Sequence, residues 1–195
     1  VVDRIDGMFA IAIYDLAQRR LLLARDRSGK KPLFYSHDGE GIRFASEPKA
    51  IFASGVTPRV NVAQLSSLLT FGYVASPETM HAGVFEVPPA STLVLEKGRE
   101  PKIRRYWRAP FAESSIHVPE EEAIRTVRRL VDAAVERRLE ADVPLGAFLS
   151  GGIDSTIIVG AMARRMGRKV KTFSIGFKGD PRYDDALEGL LDVAR

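Results

Sequence analysis

Leu145-Gly146-Ala147-Phe148-Leu149-Ser150-Gly151-Gly152-Ile153-Asp154-Ser155 is an apolar run that breaks into a small, polar, glycine-paired loop. The pattern predicts a strand over 145–149, a phosphate loop and a helix start. Adjacent glycines open backbone conformations closed to other residues and remove the Cβ atoms that keep an oxyanion away from backbone amides. Beyond the loop, Ile157, Ile158, Ala161 and Met162 recur at helical spacing until Gly167 offers a stop, which predicts a helix over 154–166. The N-terminus of that helix adds the positive end of its dipole. The Ser150 and Ser155 hydroxyls can donate to phosphate oxygens, and Asp154 offers a carboxylate to the magnesium ion that accompanies a polyphosphate. The competing explanation is a glycine turn that only joins a core strand to a helix.

The common nucleotide loop G-x-x-x-x-G-K-[ST] is absent, since no lysine follows the glycines. The stretch resembles instead the S-G-G-x-D-S loop of the ATP pyrophosphatase superfamily. That resemblance implies cleavage of ATP between its α and β phosphates, with the loop holding the leaving pyrophosphate.

Around the loop, the order helix, strand, loop, helix, strand predicts a parallel sheet with the loop at a strand's carboxyl end. The preceding helix starts at Pro119 and Glu120-Glu121-Glu122, acids that complement the dipole, and shows Ile124, Val127, Leu130, Val131, Ala134 and Val135 on one face up to Arg137 and Arg138. The following strand runs from Val170 to Phe177. A sheet this small is expected to leave Ile157, Ile158, Val170 and Phe173 uncovered.

Residues 7–45 carry the alternation and turn signals of β-hairpins: Met8 to Tyr14, Leu21 to Ala24, Pro32 to Tyr35 and Ile42 to Ala45, with reversals at 15–20 and 37–39. The connecting stretch Arg25-Asp26-Arg27-Ser28-Gly29-Lys30-Lys31-Pro32 is dense in charge. It could mimic an anion site, although charged hairpin loops are usually just solvated; Asp26 is expected to turn the backbone and pair with Arg25. A short helix follows Ser46-Glu47-Pro48, and Asn61 is expected to cap a second, with Val62, Leu65, Leu68 and Leu69 on one face and a stop near Gly72. Leu93 to Leu95 and Ile103 to Trp107 form a last hairpin, Trp107 anchoring a core or domain edge. His37, His81 and His117 each lack a neighbouring catalytic partner in sequence and are taken as structural or solvated.

The chain has 195 residues, a hydrophobic fraction of 45%, Lys+Arg 29 against Asp+Glu 25 and a sequence pI near 9.5, with bases scattered among acids. These values fit one or two ordinary globular domains and give no support to nucleic-acid binding. Without cysteine there is no disulfide, thiolate metal site or thiol nucleophile. No apolar stretch approaches the roughly 18 residues of a membrane span, and no signal-peptide pattern opens the chain, so a cytoplasmic location is expected. A start at Val1 instead of methionine suggests a piece of a longer chain.

Nearly the whole chain resembles the middle of a class B, glutamine-hydrolysing asparagine synthetase. The resemblance is carried by Gly7-Met8-Phe9-Ala10, Arg25 through Tyr35, Phe44-Ala45-Ser46-Glu47, Asp142-Val143-Pro144-Leu145-Gly146 and Phe173-Ser174-Ile175-Gly176-Phe177. It implies an α+β fold of antiparallel sheets over residues 1–108, the C-terminal part of an amino-terminal-nucleophile glutaminase domain. A linker over 109–118 and the start of an α/β ATP pyrophosphatase domain over 119–195 would follow. In that family ammonia released from glutamine displaces AMP from an aspartyl adenylate. The resemblance places Leu149 and Ile175 at the adenine and ribose, Ser150, Gly151, Gly152 and Ser155 at the pyrophosphate, and Asp154 on magnesium; β-strand core is an equally good account of Leu149 and Ile175.

ATP and Mg2+ are the implied cofactors, and ATP, aspartate and glutamine the small-molecule partners. No nucleic-acid or membrane partner is implied, and a homodimer is the assembly left open. The sequence departs from the family in lacking the cysteine nucleophile with its arginine and asparagine-glycine motifs, and the second acidic phosphate loop. Tyr183-Asp184-Asp185 fits, Ala186 to Arg195 fits poorly, and Pro88-Pro89-Ala90 stands where a proline-proline-glycine is expected. Three alternatives remain: a synthetase or sister amidotransferase acting on another carboxylate, an inactive nucleotide-binding fragment, and a transfer-RNA-modifying adenylase, which the hairpin-rich first half disfavours.

Overall fold

A computed structural model describes residues 2–39, 41–109 and 118–175. The chain divides into two compact units, Val1–Phe111 and Ala112–Arg195.

The first unit is built from antiparallel strands. Strands β1 (Ala10–Asp15), β2 (Arg20–Arg25), β6 (Ser91–Glu96) and β7 (Lys102–Arg105) form one sheet in the order β1-β2-β6-β7. Strands β3 (Phe34–His37), β4 (Ile42–Ala45) and β5 (Phe85–Glu86) form a second in the order β4-β3-β5. Alternation sets the core: Leu23 and Leu93 face each other across β2 and β6, both 0% exposed, and Leu33, Tyr35 and Val87 join them. Each such side chain contributes about 1.5–3 kcal/mol on burial. The expected hairpins are therefore present, with strands beginning later than alternation alone suggests at Ala10 and Phe34. Edge strand β7 is exposed throughout and carries Lys102, Arg104 and Arg105, charges that discourage pairing with another sheet.

Helix α1 (Pro48–Ala53) has its proline in the first turn, as expected, and helix α2 (Leu65–Phe71) ends at Gly72 in the left-handed conformation. The cap expected of Asn61 is not formed. A 3-10 turn, Val62–Gln64, precedes α2, and the Asn61 amide donates instead to the Thr79 carbonyl at 3.1 Å and to Glu78 at 3.3 Å. A bond across 18 residues wins over the local cap because it ties the irregular segment 73–84 to the rest of the unit. The apolar face of the 3-10 turn and α2 is only partly covered, with Val62 and Leu69 exposed.

Ala90 shows why a glycine is expected at its position. It has φ +55 and is 4% exposed, its amide donating to the Asp26 carbonyl at 2.9 Å and its carbonyl accepting from the Tyr106 amide at 2.8 Å. The left-handed region costs a residue with a Cβ about 1–2 kcal/mol, and here two backbone bonds hold the residue in it.

The second unit contains α3 (Glu120–Glu136), β8 (Gly146–Phe148), α4 (Ile153–Met166) and β9 (Lys171–Phe173). Strands β8 and β9 run parallel, Gly146 opposite Lys171 and Phe148 opposite Phe173, with α4 as the crossover. Val135 of α3 packs with Ala161 and Met162 of α4, flanked by Val131, Leu139 and Val170. Arg164 donates to Asp132 at 3.1 Å across the two helices. Ile157, Ile158 and Phe173 are exposed as expected, whereas Val170 joins the packed cluster. The strand expected over 170–177 is paired only over Lys171–Phe173, and Gly176 and Phe177 lie outside the described residues.

Candidate phosphate-binding site

The turn from β8 into α4 is assembled by its own side chains. Gly151 has φ +81, a conformation that brings the chain around without a Cβ clash, and Gly152 returns to extended backbone as the residue before the helix. The Gly152 carbonyl accepts three bonds, from the Thr156 amide at 3.1 Å, the Ser155 hydroxyl at 3.0 Å and the Thr156 hydroxyl at 2.9 Å. Ser150 and Ser155 meet: the Ser150 amide donates to Ser155 Oγ at 3.3 Å and the two hydroxyl oxygens lie 3.1 Å apart. Among the described residues, the amides of Gly151, Gly152, Ile153 and Asp154 have no backbone acceptor. The Ile153 and Asp154 amides are the unsatisfied donors of a helix start, beside its positive end, and the Gly151 and Gly152 amides directly precede them.

Asp154 sits exposed in the first turn of α4. No cluster of three or more His, Cys, Asp or Glu residues suited to a metal exists among the described residues. A lone carboxylate nevertheless fits magnesium, which keeps several waters and is held by one or two carboxylates together with substrate phosphates. The two residues expected near adenine part company. Leu149 is 6% exposed, its amide donating to the Phe173 carbonyl at 2.9 Å, so strand core accounts for it; Ile175 is 73% exposed. Thr156, which sequence reasoning passed over, lies one residue past the S-G-G-x-D-S pattern, and its hydroxyl at a helix start was the available signal.

The charged loop after β2 has the opposite character. Asp26, 2% exposed, accepts from the amides of Phe9 at 3.3 Å, Ser28 at 3.1 Å, Lys30 at 3.0 Å and Lys31 at 2.9 Å. Burial alone raises its pKa, but the Lys31, Lys30, Phe9 and Ser28 amides outweigh it and hold the carboxyl below its ordinary value of 3.8. The expected pairing with Arg25 is wrong. Arg25 pairs with Glu86 at 2.7 Å and donates to the carbonyls of Lys31, Val87 and Gly29. Gly29 is fixed by this packing, because a Cβ would stand 2.8 Å from Pro89 Cγ and φ is +65. The Tyr106 hydroxyl closes the assembly on the Arg25 carbonyl at 2.8 Å.

His37 Nδ1 lies 3.5 Å from Glu100, and His81 packs edge-on against Phe52 at 4.9 Å. His117 lies outside the described residues. Trp107 is half-buried with Arg27 5.8 Å from its ring centroid. No helix among the described residues is long and apolar enough to cross a membrane.

Antiparallel sheets followed by a parallel βα unit with a glycine-rich turn define an α+β chain of two kinds of module, and each module has a match. Residues 1–107 match the family model described as a glutamine amidotransferase domain, and the chain belongs to that family. Residues 126–188 match the family model described as asparagine synthase. Among curated proteins, the glutamine-hydrolyzing asparagine synthetase 3 of Bacillus subtilis is 36% identical over 192 residues, covering 95% of this chain and 31% of its own length. The putative asparagine synthetase 2 of Methanocaldococcus jannaschii is 33% identical over 94% of this chain and 36% of its own length. A Penicillium rubens protein named amidase chyE is 30% identical over 95% of this chain and 29% of its own length. The chain thus spans about a third of the length of these relatives.

Proposed function

We propose that the chain is the central part of a glutamine-hydrolysing asparagine synthetase that forms asparagine, AMP, pyrophosphate and glutamate from aspartate, ATP and glutamine. Residues 1–108 are read as the C-terminal part of its glutaminase domain, of amino-terminal-nucleophile fold, 109–118 as a linker, and 119–195 as the start of its ATP pyrophosphatase domain. The observation that carries the reading is the row of amides from Gly151 to Asp154 without backbone acceptors among the described residues, in a chain matching both modules in this order.

In this reading the amides of Gly151 and Gly152, with the Ser150 and Ser155 hydroxyls, hold the pyrophosphate as it leaves. Leu149 and Ile175 flank the adenine and ribose. Asp154 holds Mg2+ through the pyrophosphate, where the ion would neutralise phosphate charge. Glutamine, aspartate and ATP are the partners, with neither nucleic acid nor membrane, the location is cytoplasmic and a homodimer is the assembly to test. The match to a protein named amidase favours one second reading, a sister enzyme that amidates a carboxylate other than aspartate.

The deciding experiment assays the complete reading frame with ATP, glutamine and either aspartate or alternative carboxylates. Asp154→Asn is expected to abolish pyrophosphate release while glutamine hydrolysis persists; unchanged release would remove Asp154 from the metal site. The chain alone, without cysteine, is expected to hydrolyse no glutamine, and heat-sensitive ammonia release from it would contradict that.

A further inference from the structure

We propose that Ser174, which lies outside the S-G-G-x-D-S pattern, is a positioning residue for the phosphate loop. The proposal rests on reading that loop as a phosphate site. Strands β8 and β9 pair in parallel up to Phe148 and Phe173, and one further rung is made, from the Leu149 amide to the Phe173 carbonyl at 2.9 Å. In a continuing parallel ladder the Leu149 carbonyl would next accept from the Ile175 amide. That rung is not formed among the described residues; the Ser174 hydroxyl takes its place and donates to the Leu149 carbonyl at 2.6 Å.

The replacement does two things at once. It satisfies the last carbonyl before Ser150, so the chain enters the loop from a fixed point although the sheet has ended. It also frees the backbone of Ile175 from the sheet, and Ile175 is 73% exposed while Leu149, held by both bonds, is buried. In the register of β8 and β9, Ser174 stands opposite Leu149 and Ile175 falls on the other face, so the hydroxyl fixes the point at which the chain leaves the strand for the loop. At the far end of the loop the Gly152 carbonyl is held by the Ser155 and Thr156 side chains. The Leu149 carbonyl before Ser150 and the Gly152 carbonyl before the helix are thus both tied back by hydroxyls, while the amides of Gly151 and Gly152 have no backbone acceptor among the described residues.

A side-chain hydroxyl makes this possible where a backbone amide would not. An Ile175 amide bonded to Leu149 would prolong β9 and lay Ile175 along the sheet. Threonine at 174 keeps the donor, whereas valine has nearly the shape of threonine without it.

The test is titration of the full chain with inorganic pyrophosphate and magnesium, followed at the Gly151 and Gly152 amides by NMR, for wild type, Ser174→Ala, Ser174→Val and Ser174→Thr. Thermal unfolding and the Leu149 carbonyl 13C shift are recorded on each. Loss of one hydrogen bond of ordinary strength corresponds to about a fivefold change in an equilibrium. Ser174→Ala and Ser174→Val are expected to weaken pyrophosphate binding by about that factor and to move the Leu149 carbonyl shift. Ser174→Thr should restore both. Equal affinity in all four proteins, with Gly151 and Gly152 responding normally, would overturn the positioning role alone. A wild-type chain whose two glycine amides ignore pyrophosphate would overturn the phosphate reading and this proposal with it. Weakening in Ser174→Thr equal to that in Ser174→Val would show that packing, not the hydroxyl, is what matters, and would also overturn it.

Discussion

Of the loops that follow β-strands in this chain, those after β2 and β8 have compositions that invite opposite conclusions from those their structures support. The loop 25–31 has five charged side chains in seven residues, yet its buried pair is consumed internally: Asp26 takes four backbone amides and Arg25 three carbonyls and Glu86. The loop 150–155 has one charged residue, and it leaves a row of amides without backbone acceptors among the described residues. Capacity to bind an anion follows unspent donors, not charge density, because a buried charge is tolerated only when its neighbours already satisfy it. The first loop is a structural knot, and the second is an open hand of amides.

Removing the centre of the knot is expected to have the largest effect. Asp26→Ala leaves four amides without their acceptor, and at about 1–3 kcal/mol per unsatisfied buried group, moderated by water entering, the loss should be at least about 3 kcal/mol in urea unfolding. A loss below about 1 kcal/mol would show that the amides find water at little cost. Acid should mimic the substitution. The folded-state pKa of Asp26 lies below the ordinary 3.8, so its contribution is fully present above that pH. It is lost as pH falls from there through the depressed folded-state value. In Asp26→Asn the stability of the first unit should lose this component of its acid dependence, which paired pH titrations of unfolding would reveal.

The difference between the loops was only half legible in sequence. The glycine pair and its flanking periodicities are local, so the strand, turn and helix around Ser150 to Ser155 could be placed from spacing. The role of Asp26 was not, because its partners include Phe9, and the carbonyls beside it bond Ala90 and Tyr106, residues far along the chain. Asn61 misled for the same reason: position favours a cap, but its side chain is claimed by Thr79 and Glu78. Alternation cannot tell where a parallel pair ends, so sequence does not separate Leu149 from Ile175; in the structure the Leu149 carbonyl accepts from the Ser174 hydroxyl and Ile175 is exposed. Ala90 was legible only as a departure from an expected glycine, and its positive φ supplies the reason.

On the open loop, Gly151→Ala sharpens the contrast at moderate cost. With φ +81, an added Cβ is expected to destabilise the local turn by about 1–2 kcal/mol. The wild-type chain, with amides but without a second acidic loop, is expected to bind pyrophosphate no better than roughly millimolar. The alanine variant should show no saturation within the soluble range. Saturation equal to wild type would mean that the amides around Gly151 are not the ligands.

The smallest effect is expected where charge alone would suggest the largest. Lys30 and Lys31 are exposed, and the knot uses their backbone groups: both amides serve Asp26, and the Lys31 carbonyl serves Arg25. Neither lysine side chain enters those bonds, so Lys30→Gln and Lys31→Gln should preserve every one of them. Surface substitutions of this kind stay within about 0.5 kcal/mol. Long-range attraction of an anion by two such lysines is screened beyond about 8 Å at physiological salt. The double variant should therefore match wild type in unfolding midpoint and in pyrophosphate affinity at 0.15 M salt, with any difference confined to low ionic strength. A large loss of anion affinity at physiological salt would break the comparison, because it would make the charged loop a ligand site and the knot beneath it a support for binding.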